Sequence, residues 1–316
     1  MQQYIEIDSV AAPPKSKVSG YVAVPGTNTQ IPLIIVNGAD DGHILLVTAG
    51  VHGAEYPSIE AALLLAAQLD PAQMRGAVLI VPVVSQSAFF ERQTFILPED
   101  GKNLNRQFPG KATGTLSERI AHTLTNKIAA RASAWVDLHG GDLPEALVPL
   151  IGYLRSDDPV LSASVNSMVT AFGIQIVVSP AQLVGTTLHA AAELRIPALI
   201  AEAGQLGRRD PADTQRLLTG CTNVARRLGI LPGDVAPVRV REFHDWPWVR
   251  SAHAGCWYPA LQVGEKVREG QVIGTVTDIF GVRQADYHAP ASGVVLLLWQ
   301  SLAVQVGDPL AGVAVE

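Results

Sequence analysis

Apolar positions along the chain come in two textures. HILLVTAG (43–50), AVLIVPVV (77–84), SAWVDLHGG (133–141), IQIVVS (174–179) and PALIAEAG (197–204) are largely apolar over a strand's length. That pattern predicts strands covered on both faces, as in a parallel sheet between helices. Between them lie helix-length segments: PSIEAALLLAAQL (57–69), TLSERIAHTLTNKIAARA (115–132), LSASVNSMVTAFG (161–173), TTLHAAAELR (186–195) and PADTQRLLTGCTNVARRLG (211–229). Pro57 suits the first turn of its helix, where a missing N–H costs nothing, and Thr115 with Glu118 reads as a capping box. Strands alternating with helices predict an α/β domain with a mixed, largely parallel sheet. Residues 1–40 read as short strands joined by Pro and Gly turns, and residues 84–114 as one long polar loop. A loop of that length inside a compact domain is usually functional.

The texture changes at Pro232-Gly233-Asp234, after which only short strands and turns follow. LQVGEKVREGQVIGTV (261–276) is echoed by VQVGDPLAGVAV (304–315), and the two flank HAPASGVV. This predicts a small all-β barrel or sandwich. The expected division is therefore a catalytic-type domain over 1–233 and a β domain over 234–316.

Composition narrows the function classes. With 48% hydrophobic and 16% charged residues, the 316-residue chain is globular rather than disordered. Its net charge of -6 and the lack of a Lys/Arg-rich run argue against nucleic acid as a partner. No apolar run approaches the roughly 18 residues that span a bilayer, and MQQYIEIDSVAAPPK lacks the pattern of a secretory signal. Cys221 and Cys256 show no metal-type spacing, so a reducing cytoplasm is expected. The oligomeric state is not readable, and a homo-oligomer stays open.

Three of the buried runs end in groups that apolar packing does not need. HILLVTAG leads to His52 and Glu55, SAWVDLHGG carries Asp137 and His139, and PALIAEAG carries Glu202. Functional groups of open α/β sheets gather beyond the carboxyl ends of strands, so residues distant in sequence can converge there. Two imidazoles and one carboxylate form a Zn²⁺ shell with one position open. His52, Glu55 and His139 are the candidate ligands. Asp137 would orient an imidazole from the same strand face, and Glu202 would serve as general base and acid. The alternative is hydrogen-bonded structural histidines, a capping glutamate and turn-forming glycines. Three strand ends that each place His, Asp or Glu beside Gly weigh against it.

GVHGAEYPS, DGKNLNRQFPG, DLHGG and IAEAG, in this order, resemble the succinylglutamate desuccinylase/aspartoacylase family of the zinc carboxypeptidase-like fold. The resemblance spans residues 45 to about 210. It implies a three-layer carboxypeptidase-like domain followed by a small β domain of biotinyl/lipoyl type. It also implies one Zn²⁺ per chain on His52, Glu55 and His139, with Glu202 as the catalytic acid/base. Asn105 and Arg106 would hold a substrate carboxylate, a role that suits a bidentate guanidinium. An oxyanion-stabilising arginine precedes NLNR in many members, and Arg92 is the nearest upstream candidate. Gly185-Thr186-Thr187-Leu188 resembles a pocket loop but equally reads as a helix start. Glu145, just after DLHGG, could contact the substrate but reads better as a solvated loop acid. Tyr287 and His288, beside the HAP turn, could reach the pocket but read better as packing residues, as do His43, His122, His189, His244 and His253. No lysine occupies the expected carrier position between the two β half-motifs, so a swinging-arm role is not expected of that domain.

The expected activity is a zinc-dependent amidohydrolase that removes an acetyl or succinyl group from an N-acyl amino acid or similar small carboxylate. A zinc carboxypeptidase and a non-enzymatic zinc-binding scaffold are the alternatives.

Overall fold

The buried runs gather at the centre of one sheet. A computed structural model describes residues 4–180 and 183–315. The chain runs β1 (Ile5–Ile7), β2 (Val10–Ala12), β3 (Ser16–Ala23), β4 (Gln30–Asn37), β5 (Asp40–Thr48), α1 (Tyr56–Gln68), β6 (Arg75–Val81), α2 (Gln86–Glu91) and α3 (Leu116–Thr123). It continues through β7 (Ala134–His139), β8 (Glu145–Leu147), β9 (Leu150–Gly152), α4 (Pro159–Phe172), β10 (Ile176–Val178), α5 (Thr187–Leu194), β11 (Ala198–Glu202), α6 (Pro211–Arg227) and β12 (Arg241–Phe243). Nine strands form the sheet β12-β10-β9-β11-β7-β5-β6-β4-β3. Its centre, β6-β5-β7-β11, is parallel; β4 and β3 are added antiparallel, and β9 runs antiparallel to β11. The mixed, largely parallel sheet expected from the sequence is present.

Alternate residues of β5 feed opposite faces, as a period of two requires. Leu45 and Val47 pack with Leu65 of α1, Met168 of α4 and Leu217 of α6. Leu46 packs with Trp135, Ile120 of α3 and Leu188 of α5. Helices thus cover both faces, which is why the central strands carry almost no polar residue before their ends.

Two local expectations change. The long loop over 84–114 contains the short helix α2 and a 3₁₀ turn at Leu104–Arg106. The helix expected over 115–132 is α-helical only to Thr123, then widens into a π turn (Leu124–Ile128) and a 3₁₀ turn. Leu124 and Ile128 of the widened turn and Ala129 of the 3₁₀ turn are fully buried. At its start Glu118 accepts the Thr115 N–H at 2.9 Å, as a capping box requires.

The C-terminal part adds β13 (Trp248–Arg250), β14 (Gly255–Pro259), β15 (Lys266–Val267), β16 (Val272–Thr277), β17 (Arg283–His288), β18 (Gly293–Trp299), β19 (Ala303–Val304) and β20 (Pro309–Val315). They form two sheets, β13-β20-β18-β15 and β17-β16-β14-β19. The internal echo has a structural meaning: β15 and β16 sit in opposite sheets, and β19 and β20 cross over the other way. Tyr287 packs in this domain's core. The two parts interleave. Strand β12 joins the large sheet beside β10, and β8 pairs antiparallel with β18. Leu150, Val178 and Phe243 share a small core with Val294, Leu296 and Ala314. Among the described residues no helix is long and apolar enough to cross a membrane, and Cys221 and Cys256 are both free thiols.

Candidate active site

Strands β5, β7 and β11 are parallel neighbours, so their carboxyl ends open side by side. His52 and Glu55 follow β5 in the turn that enters α1. That turn lies hard against α2: a Cβ on Gly53 would fall 2.3 Å from the Ala88 carbonyl carbon. Only glycine permits this approach. Gly140 plays the same part after β7, where a Cβ would sit 2.4 Å from Ala203 O.

Potential metal-ligand atoms of His52, Glu55 and His139 lie within 4.8 Å of one another, and all three residues are buried. His52 Nδ1 is 2.7 Å from Glu55 Oε1, and His139 Nδ1 is 3.0 Å from Glu55 Oε2. The opposite ring nitrogens are held by oxygen: His139 Nε2 lies 2.9 Å from Asp137 Oδ2 and His52 Nε2 lies 3.1 Å from Asn103 Oδ1. Each Nε2–H therefore donates outward and leaves its Nδ1 lone pair aimed at the carboxylate. Lone pairs facing a carboxylate at this range repel unless a cation or proton sits among them, so the donor set fits a metal ion. Asp137 is itself pinned. It accepts from Thr48 Oγ1 and from Thr187 Oγ1, each at 2.6 Å, and Trp135 Nε1 donates to Thr48 Oγ1 at 2.8 Å.

The charges respond accordingly. Burial opposes ionisation of Glu55, but the two histidines outweigh it and hold the carboxyl at about 2. Burial pulls both imidazoles down, yet Asp137 and Glu55 carry His139 well above the ordinary value, and Glu55 raises His52. Burial is the main cause that lifts Glu202 to about 7, with Glu55 adding to it and His139 opposing. Glu202 pairs in register with His139 across β11 and β7, so it stands beside the histidines.

These groups line a cavity of about 500 Å³. Asn105 and Arg106 line it as well, brought in by the 3₁₀ turn of the long loop. Asn105 Oδ1 accepts the Thr187 N–H at 3.2 Å, which leaves the amide NH₂ for the cavity. Thr186 lines the cavity and also caps α5 by accepting the His189 N–H at 3.3 Å, so both readings of the Gly-Thr-Thr segment hold. Arg92 is not brought here. It is the exposed left-handed C-cap of α2, with φ of 57°, and it is absent from the cavity wall.

Other wall residues carry little pattern that sequence reasoning could use. Asn103 stands in DGKNLNR, where a polar neighbour of the motif was the only signal. Glu145 is half-buried and lines the cavity, so the reading as a solvated loop acid is corrected. Its place on the wall comes from the pairing of β8 with β18. The C-terminal domain supplies Trp246, Trp248, Arg250 and Trp299. Trp299 stacks on Phe95 at 6.0 Å, and Phe95 meets the His52 ring edge-on at 5.9 Å. Phe95 is held there by its N–H, which Asp142 Oδ2 accepts at 2.9 Å.

Known proteins share this architecture. An N-alpha-acetyl-L-2,4-diaminobutyric acid deacetylase from Halomonas elongata is 29% identical over 312 residues, covering 93% of this chain and 90% of the relative. A crystal structure of a succinylglutamate desuccinylase/aspartoacylase from Rhodobacter sphaeroides superposes with a TM-score of 0.86 at 27% identity, covering 99% of this chain and 97% of the other. The product-bound ectoine utilization protein EutE (DoeB) from Ruegeria pomeroyi gives 0.87 at 24% identity, over 98% of each chain, and speaks to the fold alone. A family model described as the succinylglutamate desuccinylase/aspartoacylase catalytic domain matches residues 41–228. That match takes in more than half of the sequence and each of the converging strand ends, and the chain belongs to the succinylglutamate desuccinylase/aspartoacylase family.

Proposed function

We propose that this protein is a zinc-dependent deacylase that cleaves the amide of a small N-acyl amino acid. The observation that carries the reading is the convergence of His52, Glu55 and His139 beside Glu202, in a cavity that also holds the Arg106 guanidinium. When bound to this two-nitrogen, one-carboxylate set, Zn²⁺ supplies a Lewis acid for the amide carbonyl and acidifies water. Glu202 accepts a proton from the attacking water and returns it to the departing nitrogen, which needs a carboxyl whose affinity for protons lies near neutrality. Arg106 and the Asn105 amide fix the substrate by its carboxylate, so that binding energy is spent on orientation. Arg250 is a second guanidinium on the wall, exposed and with its Nη1 donating to the Gly307 carbonyl at 2.9 Å.

The cavity volume is in the range of small-molecule sites. The wall built by the C-terminal domain supports a small substrate over a peptide chain. The Halomonas elongata relative is named for N-acetyl-diaminobutyrate, and that makes an N-acetyl amino acid the first substrate to try. The test is amine release from N-acetyl and N-succinyl derivatives of aspartate, glutamate and 2,4-diaminobutyrate, and from a dipeptide, with zinc and with a chelator. Chelator-sensitive release from an acyl amino acid is the expected result. Release from the dipeptide alone would mean a carboxypeptidase, and zinc binding without any release would mean a scaffold.

A further inference from the structure

We propose that Glu145 binds a second, protonated amine on the amino-acid part of the substrate and so selects N-acyl diamino acids. The inference rests on the deacylase reading of the same cavity, and it assigns a side chain to the choice of substrate.

Carboxylates crowd this cavity. Glu55, Glu145, Glu202 and Asp308 all line it, and three of them are occupied. Glu55 lies against both histidines. Asp308 Oδ2 accepts the Gln305 N–H at 2.8 Å within a turn. Glu202 is assigned to proton transfer. Glu145 makes no close ion pair among the described residues: the Arg106 guanidinium feels its charge but is assigned to the substrate carboxylate, and the Glu145 side chain receives only a long contact from the Asp142 N–H at 3.4 Å. Its backbone is held firmly. Its N–H donates to Asp142 O and its carbonyl accepts from Leu206, both at 2.8 Å, and it stands opposite Trp299 in the register of β8 and β18.

An immobilised, half-buried carboxylate with open acceptor sites is costly unless a cation meets it. Burial first, and then repulsion from Glu55 and Glu202, pushes its carboxyl well above the usual range. The ligand it favours therefore carries a positive charge, and the neighbouring Trp299 and Phe95 rings offer apolar surface to the methylenes that carry that charge. The same acid repels a side-chain carboxylate, so N-acyl aspartate and glutamate are selected against.

The experiment measures binding and turnover on the zinc-loaded enzyme. Calorimetry compares 2,4-diaminobutyrate with 2-aminobutyrate, which lacks the second amine, on wild type, Glu145→Gln and Glu145→Asp. Wild type should prefer the diamino acid by about 10- to 100-fold, the scale of a charge-assisted hydrogen bond. Glu145→Gln should lose most of that preference and Glu145→Asp should keep part of it. Steady-state kinetics should show the same change in the kcat/KM ratio of N-acetyl-diaminobutyrate to N-acetyl-2-aminobutyrate. A ratio unchanged in Glu145→Gln, or no preference in wild type, overturns the role. The binding arm decides Glu145 even if no amide is cleaved; turnover alone decides the deacylase reading.

Discussion

At the scale of single residues, the site is a chain of oriented hydrogen bonds that ends in two Nδ1 lone pairs. Thr48 and Thr187 fix Asp137, Asp137 fixes His139, and Asn103 fixes His52. An Asp137→Asn change puts an amide NH₂ where one of these partners needs an acceptor. Zinc affinity should fall by about 10- to 100-fold, read by competition with a chromogenic chelator, while the melting curve reports whether the fold survives. Unchanged affinity would mean that Asp137 serves packing alone. The candidate ligands are legible in the sequence because His and Glu beside Gly contradict the apolar run before them. Arg250 is not legible, and Glu145 is legible only as a polar residue following DLHGG. Each is an ordinary charged residue on a short strand, and only the pairing of distant segments turns it toward the cavity.

At the scale of elements, the long loop carries Asn103, Asn105 and Arg106, and its anchorage decides how well they are placed. Asp100 ties the loop to α3. Its Oδ2 accepts the Ser117 N–H at 2.8 Å, its Oδ1 accepts the Ser117 hydroxyl at 2.7 Å, and the Lys102 N–H donates to Oδ1 at 3.2 Å. Burial opposes ionisation of Asp100, but the Ser117 bonds outweigh it and hold the carboxyl below its ordinary value. A depressed folded-state value means stability that is fully present above the unfolded value of about 4 and is lost as pH falls through the folded value. Asp100→Ala should therefore cost about 1–2 kcal/mol near neutrality, the scale of a lost helix cap. The difference in melting temperature from wild type should close as the pH drops from 7 toward 3. A difference that persists in acid would point to packing instead. The sequence shows this segment as a loop without period. It does not show α2 or the 3₁₀ turn, because stretches this short have no room for a periodic signal.

At the scale of the whole molecule, the β domain is part of the site and of the fold. It pairs with β8, places β12 at the edge of the large sheet, and contributes half of the small core around Leu150 and Phe243. A chain ended before Asp234 would leave Leu150 and Val178 exposed and the edge of β10 unpaired, which is a template for aggregation. That chain should be recovered mainly as aggregate in size-exclusion chromatography. A monodisperse, zinc-binding product would show instead that the first part folds by itself. The change of texture near residue 232 is visible in the sequence. The interleaving is not, because it depends on β8 and β12 joining sheets built mostly from the other part of the chain.

The most direct measurement sets Glu202→Gln beside wild type, with zinc content and turnover of N-acetyl-diaminobutyrate read on the same preparations. The account predicts that zinc stays bound at one per chain while kcat falls by about 10²- to 10⁴-fold, the usual worth of a general acid/base. Turnover within a few-fold of wild type, with zinc in place, would contradict it.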